Sequence, residues 1–339
     1  MVTLNNISTV VNKQRDKSID IAKGIGIILV VYGHLACPIA REIFLFHMPL
    51  FFLLSGFFFS IKNSIKNFLL KKIRSLLFPF ILFYIFAFIY RFLFISEDNN
   101  LISYIYSFQD LVAPDPPLWF LLSLFEIFVI SYIVEKYIHS GILKLIIAFV
   151  ITFIGYLCAI NKIFFLYLPE ACLGYIFFYL GYQMRLYNIL QNKKVYFYVI
   201  IGAIISYCLG IVLKVHTDML SLEIDPTYVL FFLPALGGSL LVIYFSRYLQ
   251  NKRYTSWLAY LGKNSLLIMC VHMPLIPLSN TLTLPALKVI YYLIGNTTAT
   301  NAEMMGGRIC GLLSLIVLVP LSLYIGLLIK KIFPFCFSK

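Results

Sequence analysis

Apolar residues run along this chain in long blocks, each broken by a few polar positions. A helix crossing the hydrocarbon core of a bilayer needs about 20 largely apolar residues. Ten blocks approach that length: 19–37, 42–61, 75–95, 117–138, 143–160, 163–184, 195–215, 227–249, 257–279 and 308–331. The fifth and sixth are separated only by Asn161-Lys162, and in 280–306 the run Leu284–Ile294 is expected to lie on the membrane or re-enter it. The pattern predicts an all-α fold, a polytopic membrane bundle of about ten transmembrane helices over 19–331, with short tails at 1–18 and 332–339.

Composition agrees. Hydrophobic residues make up 61% and charged residues 12%, about half the roughly 25% usual in globular domains. Too little charge is present to cover a water-facing surface, and no stretch outside the blocks is long enough to fold alone. The polar start and the Cys37-Pro38 that follows Ile25–Ala36 do not resemble a cleavable signal, so the first block is expected to stay as a helix.

The net charge of +13 changes meaning once the blocks are drawn. With the N-terminus in the cytoplasm, alternation leaves 21 of the 27 Lys and Arg inside; only Arg41, Arg91, Lys162, Lys214, Lys288 and Arg308 fall outside. Glu97, Asp98, Asp110, Asp115, Asp218, Glu223, Asp225 and Glu303 fall outside with them. That segregation is the positive-inside pattern and predicts both termini in the cytoplasm. It also accounts for the basic balance without a nucleic-acid partner. The seven cysteines are scattered and form no CxxC pair, so neither a disulfide frame nor a metal site is expected.

Ionisable groups inside apolar blocks cost energy and are functional candidates by default. Here they are Asp20, Lys23, His34, His47, Glu126, Glu170 and His272. Lys23 and His34 are eleven residues apart, so on one helix they share a face and stand about 16 Å apart along its axis, with Asp20 on the same face. A snorkelling lysine and a hydrogen-bonded interior histidine give the same spacing without function. Gly24, Gly26 and Gly33 thin this helix for close approach. In the second block Pro49 is expected to kink the helix near His47, and a hairpin across 36–42 would bring His34 and His47 together. Lys62, Lys66, Lys71, Lys72 and Arg74 then form a basic stretch, which topology alone explains in part and which also suits a phosphate-bearing ligand. Glu170 follows Pro169 and is expected to satisfy backbone groups that the proline frees. Trp119 and His272 stand near the outer ends of their helices; each reads as an interface anchor or loop-bonding group as well as a site residue.

Taken together, these residues resemble the acyltransferase-3 family of integral membrane O-acyltransferases. Asp20-Ile-Ala-Lys23-Gly through His34 looks like its R-x10-H motif, with Lys23 where the family usually has arginine. Phe46-His47-Met48-Pro49-Leu50-Phe51-Phe52 through Ser55-Gly56 resembles its second-helix signature, and Lys71-x-x-Arg74 before Pro79 its RxxR stretch. Leu118-Trp119-Phe120-Leu121, Leu261-Gly262-Lys263-Asn264-Ser265-Leu266 and His272-Met273-Pro274 also fit. The short, fucose 4-O-acetylase-like members are the most similar. The resemblance implies transfer of an acyl group, usually acetyl, from cytoplasmic acyl-CoA to a hydroxyl of a cell-surface glycan or its lipid-linked precursor, in the plasma membrane of a bacterium. On that reading His34 is the general base, Glu126 orients it, and His47, Ser55 and Asn264 are donors to test for the oxyanion. Lys23, Lys71, Lys72 and Arg74 hold the phosphates of acetyl-CoA, and Asp20, Trp119 and His272 line the substrate path. A glycan transporter or flippase is the alternative, since polytopic bundles with buried polar groups also describe transporters; the absence of a visible internal repeat and the Lys71–Arg74 cluster favour the enzyme. A non-catalytic scaffold is the third reading.

Overall fold

The structure, a computed structural model, describes residues 16–61, 64–94, 114–189, 193–225, 228–294 and 299–337. Most of the N-terminal tail, the last two residues, Lys62 and the acids Glu97, Asp98 and Asp110 lie outside the described residues. The described chain is helical almost throughout, and one two-stranded antiparallel hairpin interrupts it.

The first half contains α1 (Lys17–Gly33), the short α2 (Ala40–Phe44), α3 (His47–Phe57), α4 (Ile65–Lys72), α5 (Phe78–Phe94), α6 (Trp119–Tyr137), α7 (Gly141–Ile160) and α8 (Leu168–Leu186). Then come α9 (Lys193–Val212), β1 (His216–Asp218), β2 (Glu223–Asp225), α10 (Tyr228–Leu249), α11 (Ser256–Lys263), α12 (Ser265–Met269), α13 (Ile276–Leu293), α14 (Asn301–Gly306) and α15 (Arg308–Ile332).

Among the described residues six helical segments are long and apolar enough to cross a membrane: Ala40–Phe57, Ile65–Phe94, Pro116–Tyr137, Gly141–Ile160, Tyr228–Leu249 and Arg308–Ile332. The protein is therefore a multi-pass membrane bundle. Expected spans that miss this criterion include α1, which has only 17 residues, and the more polar α8, and both are largely buried. From Pro169 to Tyr179 every residue of α8 is buried, and α1 buries Ser18 through Ala22 without a gap. Helices surrounded by protein can carry polar groups that lipid would reject. The converse holds at the rim: the α7 span has a mean hydropathy of 2.4 with 22% of it buried, whereas Pro116–Tyr137 has 2.0 with 67% buried.

Three expected helices are broken, each with a local cause. α1 ends at Gly33, and His34 is its C-cap (φ −88°, ψ 0°) instead of a mid-helix residue. The second block starts with α2, turns at Leu45–Phe46 and begins again at His47. Pro49 thus occupies the first turn of α3, where a missing N–H costs nothing; it marks a start and makes no kink. The ninth block is interrupted at Asn264 and again over 270–275, ahead of α13. Pro274 lies in that second interruption, where it can donate no helical hydrogen bond. Beyond it, α13 is one continuous helix over much of the stretch that the sequence left uncertain. α4 continues into α5 through a single π-turn at Ile73–Leu77, so the third span begins ten residues earlier than the apolar run suggests.

Glycines set the closest approaches. A Cβ at Gly24 would collide with the Leu258 carbonyl, and one at Gly262 with the Asp20 carbonyl, so α1 and α11 meet backbone to backbone. Gly56 and Gly181 join α3 to α8 in the same way, against the carbonyls of Phe178 and Leu53. Without a hydrophobic force between helices in lipid, such small-residue seams supply van der Waals packing.

Candidate active site

α1 and α3 form an antiparallel hairpin that places one chemically distinct group at each end. At one end, the Lys23 ammonium sits 4.6 Å from the Phe58 ring centroid. At the other, His34 and His47 both lie beside Phe44, with ring centroids 5.5 and 5.0 Å away. The two histidines are thus close, as expected, and share one pocket with that α2 ring.

α11 and α12 run beside α1 in the same direction: Gly262 meets Asp20, Met269 shares a pocket with Val30, and the His272 ring lies 5.5 Å from that of His34. Three imidazoles are therefore gathered at one end of the bundle. Two of them have a fixed tautomer. His272 Nδ1 is 2.8 Å from the Met269 carbonyl oxygen and 3.2 Å from that of Ile268, and His47 Nδ1 is 3.2 Å from that of Ile43. A carbonyl only accepts, so each Nδ1 carries the proton and donates, which leaves Nε2 of the neutral ring with its lone pair. His272 Nε2 is buried and makes no hydrogen bond among the described residues.

A pocket of about 80 Å³ opens on two of the three imidazoles, with His34, His47, Trp119, Asp218 and Met269 in its wall. Trp119 is buried at the first turn of α6. The hairpin β1–β2 covers the pocket from the loop after α9: Thr217, Met219 and Leu222 are buried, and Thr217 through Leu220 line the cavity. Asp218 is the carboxylate whose charge reaches His34. Its own oxygens accept from the Leu220 N–H and the Ser221 hydroxyl, both at 3.0 Å, which fixes the hairpin tip. Sequence reasoning placed Asp218 only among outer-loop acids; nothing local marks it, because the strand pairing Asp218↔Glu223 and the fold back onto α2 create its position.

Glu126 is elsewhere. It stands seven residues beyond Trp119 on α6, about 10 Å farther along the axis. Its neighbours are Glu170 and Cys172. The Oε2 atoms of Glu126 and Glu170 are both buried without a hydrogen-bond partner among the described residues. The two carboxyls form a separate interior pair, and Glu126→Gln is expected to leave acyl transfer unchanged and thermal stability equal or higher, as a melting curve beside a transfer assay would read. A variant without transfer would return Glu126 to the site.

At the Lys23 end, Lys72 lies 3.1 Å from the Phe128 ring centroid and feels the charges of Lys71 and Lys23. Arg185, which the sequence reading passed over, donates to the Phe59 carbonyl and stacks 5.6 Å from Tyr182. Lys71 and Arg74 are exposed along α4 and its π-turn. Asp20 is buried in the first turn of α1. Asn264 donates to the Tyr260 carbonyl at 2.9 Å and lines a pocket away from the histidines; Ser55 is two turns along α3 from His47. Of the candidate oxyanion donors only His47 shares the histidine pocket.

A family model described as an acyltransferase domain matches residues 16–330. The chain belongs to the acyltransferase-3 family. The match spans α1 to α15 and includes every residue named above at both ends of the hairpin. No curated protein and no solved structure matches the chain significantly. Family membership makes the protein an enzyme that transfers acyl groups.

Proposed function

We propose that this acyltransferase moves an acyl group, acetyl in the usual case, from cytoplasmic acyl-CoA to a hydroxyl of a surface glycan or its lipid-linked precursor. The observation that carries the reading is the polarity of the α1–α3 hairpin. Cations gather around Lys23 and Lys72, histidines gather around His34, and about 16 Å of helix separates them. That is the scale of an extended pantetheine arm, so phosphates held at the basic end leave the thioester near the imidazoles.

In the reaction His34 takes the proton of the acceptor hydroxyl, since a neutral imidazole suits that work. The alkoxide oxygen forms a bond to the thioester carbonyl carbon, and the tetrahedral oxyanion collapses with loss of the CoA thiolate. The His34 imidazolium returns its proton to that sulfur. Asp218 stabilises the imidazolium without touching substrate, the part a carboxylate plays beside a catalytic histidine. Trp119 supplies an apolar wall against which a sugar ring packs.

The test is labelled acetyl-CoA given to purified protein with a mixture of carbohydrate acceptors. Label appearing in ester linkage supports the proposal. If the protein binds no acyl-CoA, the donor reading fails and glycan transport in vesicles becomes the next assay. Asp218→Asn is expected to lower kcat by about tenfold, a loss of about 1.4 kcal/mol, with KM unchanged, because the charge acts only once the imidazolium forms. A rise in KM alone would make Asp218 a binding residue instead.

A further inference from the structure

A second pocket, lined by two lysines, opens at the Lys23 end of the bundle, outside the α1–α3 hairpin. It has a volume of about 210 Å³, and Ser75, Lys263, Asn264, Lys330 and Phe337 stand in its wall with Leu266 and Leu267. The four segments that build it come together only in the fold. Ser75 comes from the π-turn after α4 and Lys263-Asn264 from the break between α11 and α12. Lys330 belongs to the last turn of α15, and Phe337 follows the short turn Pro334–Cys336. Among the described residues no carboxylate lines it. Lys330 lies 5.8 Å from the Phe337 ring centroid, which places a cation and an aromatic face side by side.

We infer that this pocket binds the 3′-phosphate of acyl-CoA through Lys263 and Lys330, with Phe337 against the adenine. Two ammonium groups without a neighbouring carboxylate suit a dianionic phosphomonoester, and an aromatic face suits a base in a sequence-tolerant way. Ser75 lies one turn from Lys72, to whose carbonyl its hydroxyl donates at 3.3 Å. The pocket therefore flanks the segment proposed to hold phosphates of the donor, and on this inference that segment is left with the diphosphate. The inference rests on the acyl-CoA reading above and adds to it the residues that recognise the nucleotide end of the donor.

Equilibrium binding separates the two ideas. Purified protein in nanodiscs of zwitterionic lipid is titrated with acetyl-CoA and with 3′-dephospho-acetyl-CoA, as wild type and as Lys263→Gln/Lys330→Gln. Wild type is expected to bind acetyl-CoA about tenfold more tightly than the dephospho form, the size of one charge-assisted contact pair. The double variant is expected to bind both donors with the Kd that wild type has for the dephospho form. That unchanged second constant also reports that the variant is folded. Retention of the wild-type preference in the double variant would overturn the assignment while leaving the donor reading intact. Weakened binding of both donors on adding phosphatidylglycerol, abolished by the variant, would assign the pocket to a lipid headgroup and overturn it as well. No binding of either donor to wild type would remove the donor reading and this inference together.

Discussion

Replacing His34 by alanine is expected to lower acyl transfer by about 10²–10⁴-fold, the usual contribution of a positioned general base, while the Kd for acetyl-CoA stays at its wild-type value. The geometry predicts this split. His34 caps α1 at the histidine end, whereas the cations proposed to hold the donor stand at the other, beside Phe58 and Phe128. Its ring is half-buried beside Phe44 and His272, so truncation removes no core packing on the scale of a buried aromatic. His47 and His272 remain in the variant, each with Nδ1 committed to a helix carbonyl. Their fixed rings do not substitute for a base at the position of His34. Transfer within about threefold of wild type would sink the assignment of His34 and shift attention to His272. Labelled acetyl-CoA supplied without acceptor adds a further distinction. Label retained on wild-type protein and absent from His34→Ala would mean that histidine attacks the thioester first and passes the acyl group on; no retained label would mean direct attack by the hydroxyl.

The hairpin that sets up this split was legible in the sequence because it depends on spacing. Lys23 and His34 sit on one continuous helix, His47 opens the next long one, and a short connection leaves few ways to pack them. Lys71, Lys72 and Arg74 were visible as a cluster for the same reason. What escaped depends on contacts between distant segments. The carboxylate assigned beside His34 was Glu126, chosen as a mid-helix acid with no evident partner; its partner is Glu170 on α8, reached only by packing α6 against that helix. Asp218 comes to His34 because six residues of an outer loop pair into β1–β2 and turn inward, and no periodicity announces that. The broken ninth segment was hidden too. Its apolar run is unbroken enough to read as one helix, and only Asn264 and Pro274 hint that His272 leaves the helix to meet His34. Arg185 went unnoticed because a basic residue at a helix end is already explained by topology.

The seam between α1 and α11 gives the second large effect. Gly262→Val is expected to lower the melting temperature in detergent sharply or to prevent accumulation of folded protein, and to abolish transfer in any protein that does fold. A Cβ at Gly262 falls on the carbonyl of Asp20, and the Gly24 amide nitrogen lies 2.8 Å away. These are backbone atoms inside a helix and have no rotamer by which to yield. The helices must move apart, and overpacking of this kind costs about 1–3 kcal/mol even where side chains can adjust. Separation also reaches the chemistry. α11 and α12 carry the chain up to His272, so widening the seam draws that ring away from His34 and opens the buried side of Asp20. Gly202→Val supplies the comparison: a Cβ there meets nothing within 4 Å, on the exposed side of α9. A valine at 202 is expected to leave melting temperature and transfer unchanged, and its higher helix propensity than glycine favours the fold slightly. Equal tolerance of valine at both positions would mean that α1 and α11 can slide past one another, and that the His34–His272 approach is not held by the glycine seam. Loss at 262 with tolerance at 202 would tie the position of the third imidazole to a backbone contact three turns away, so that the residues fixing the site include two with no side chain at all.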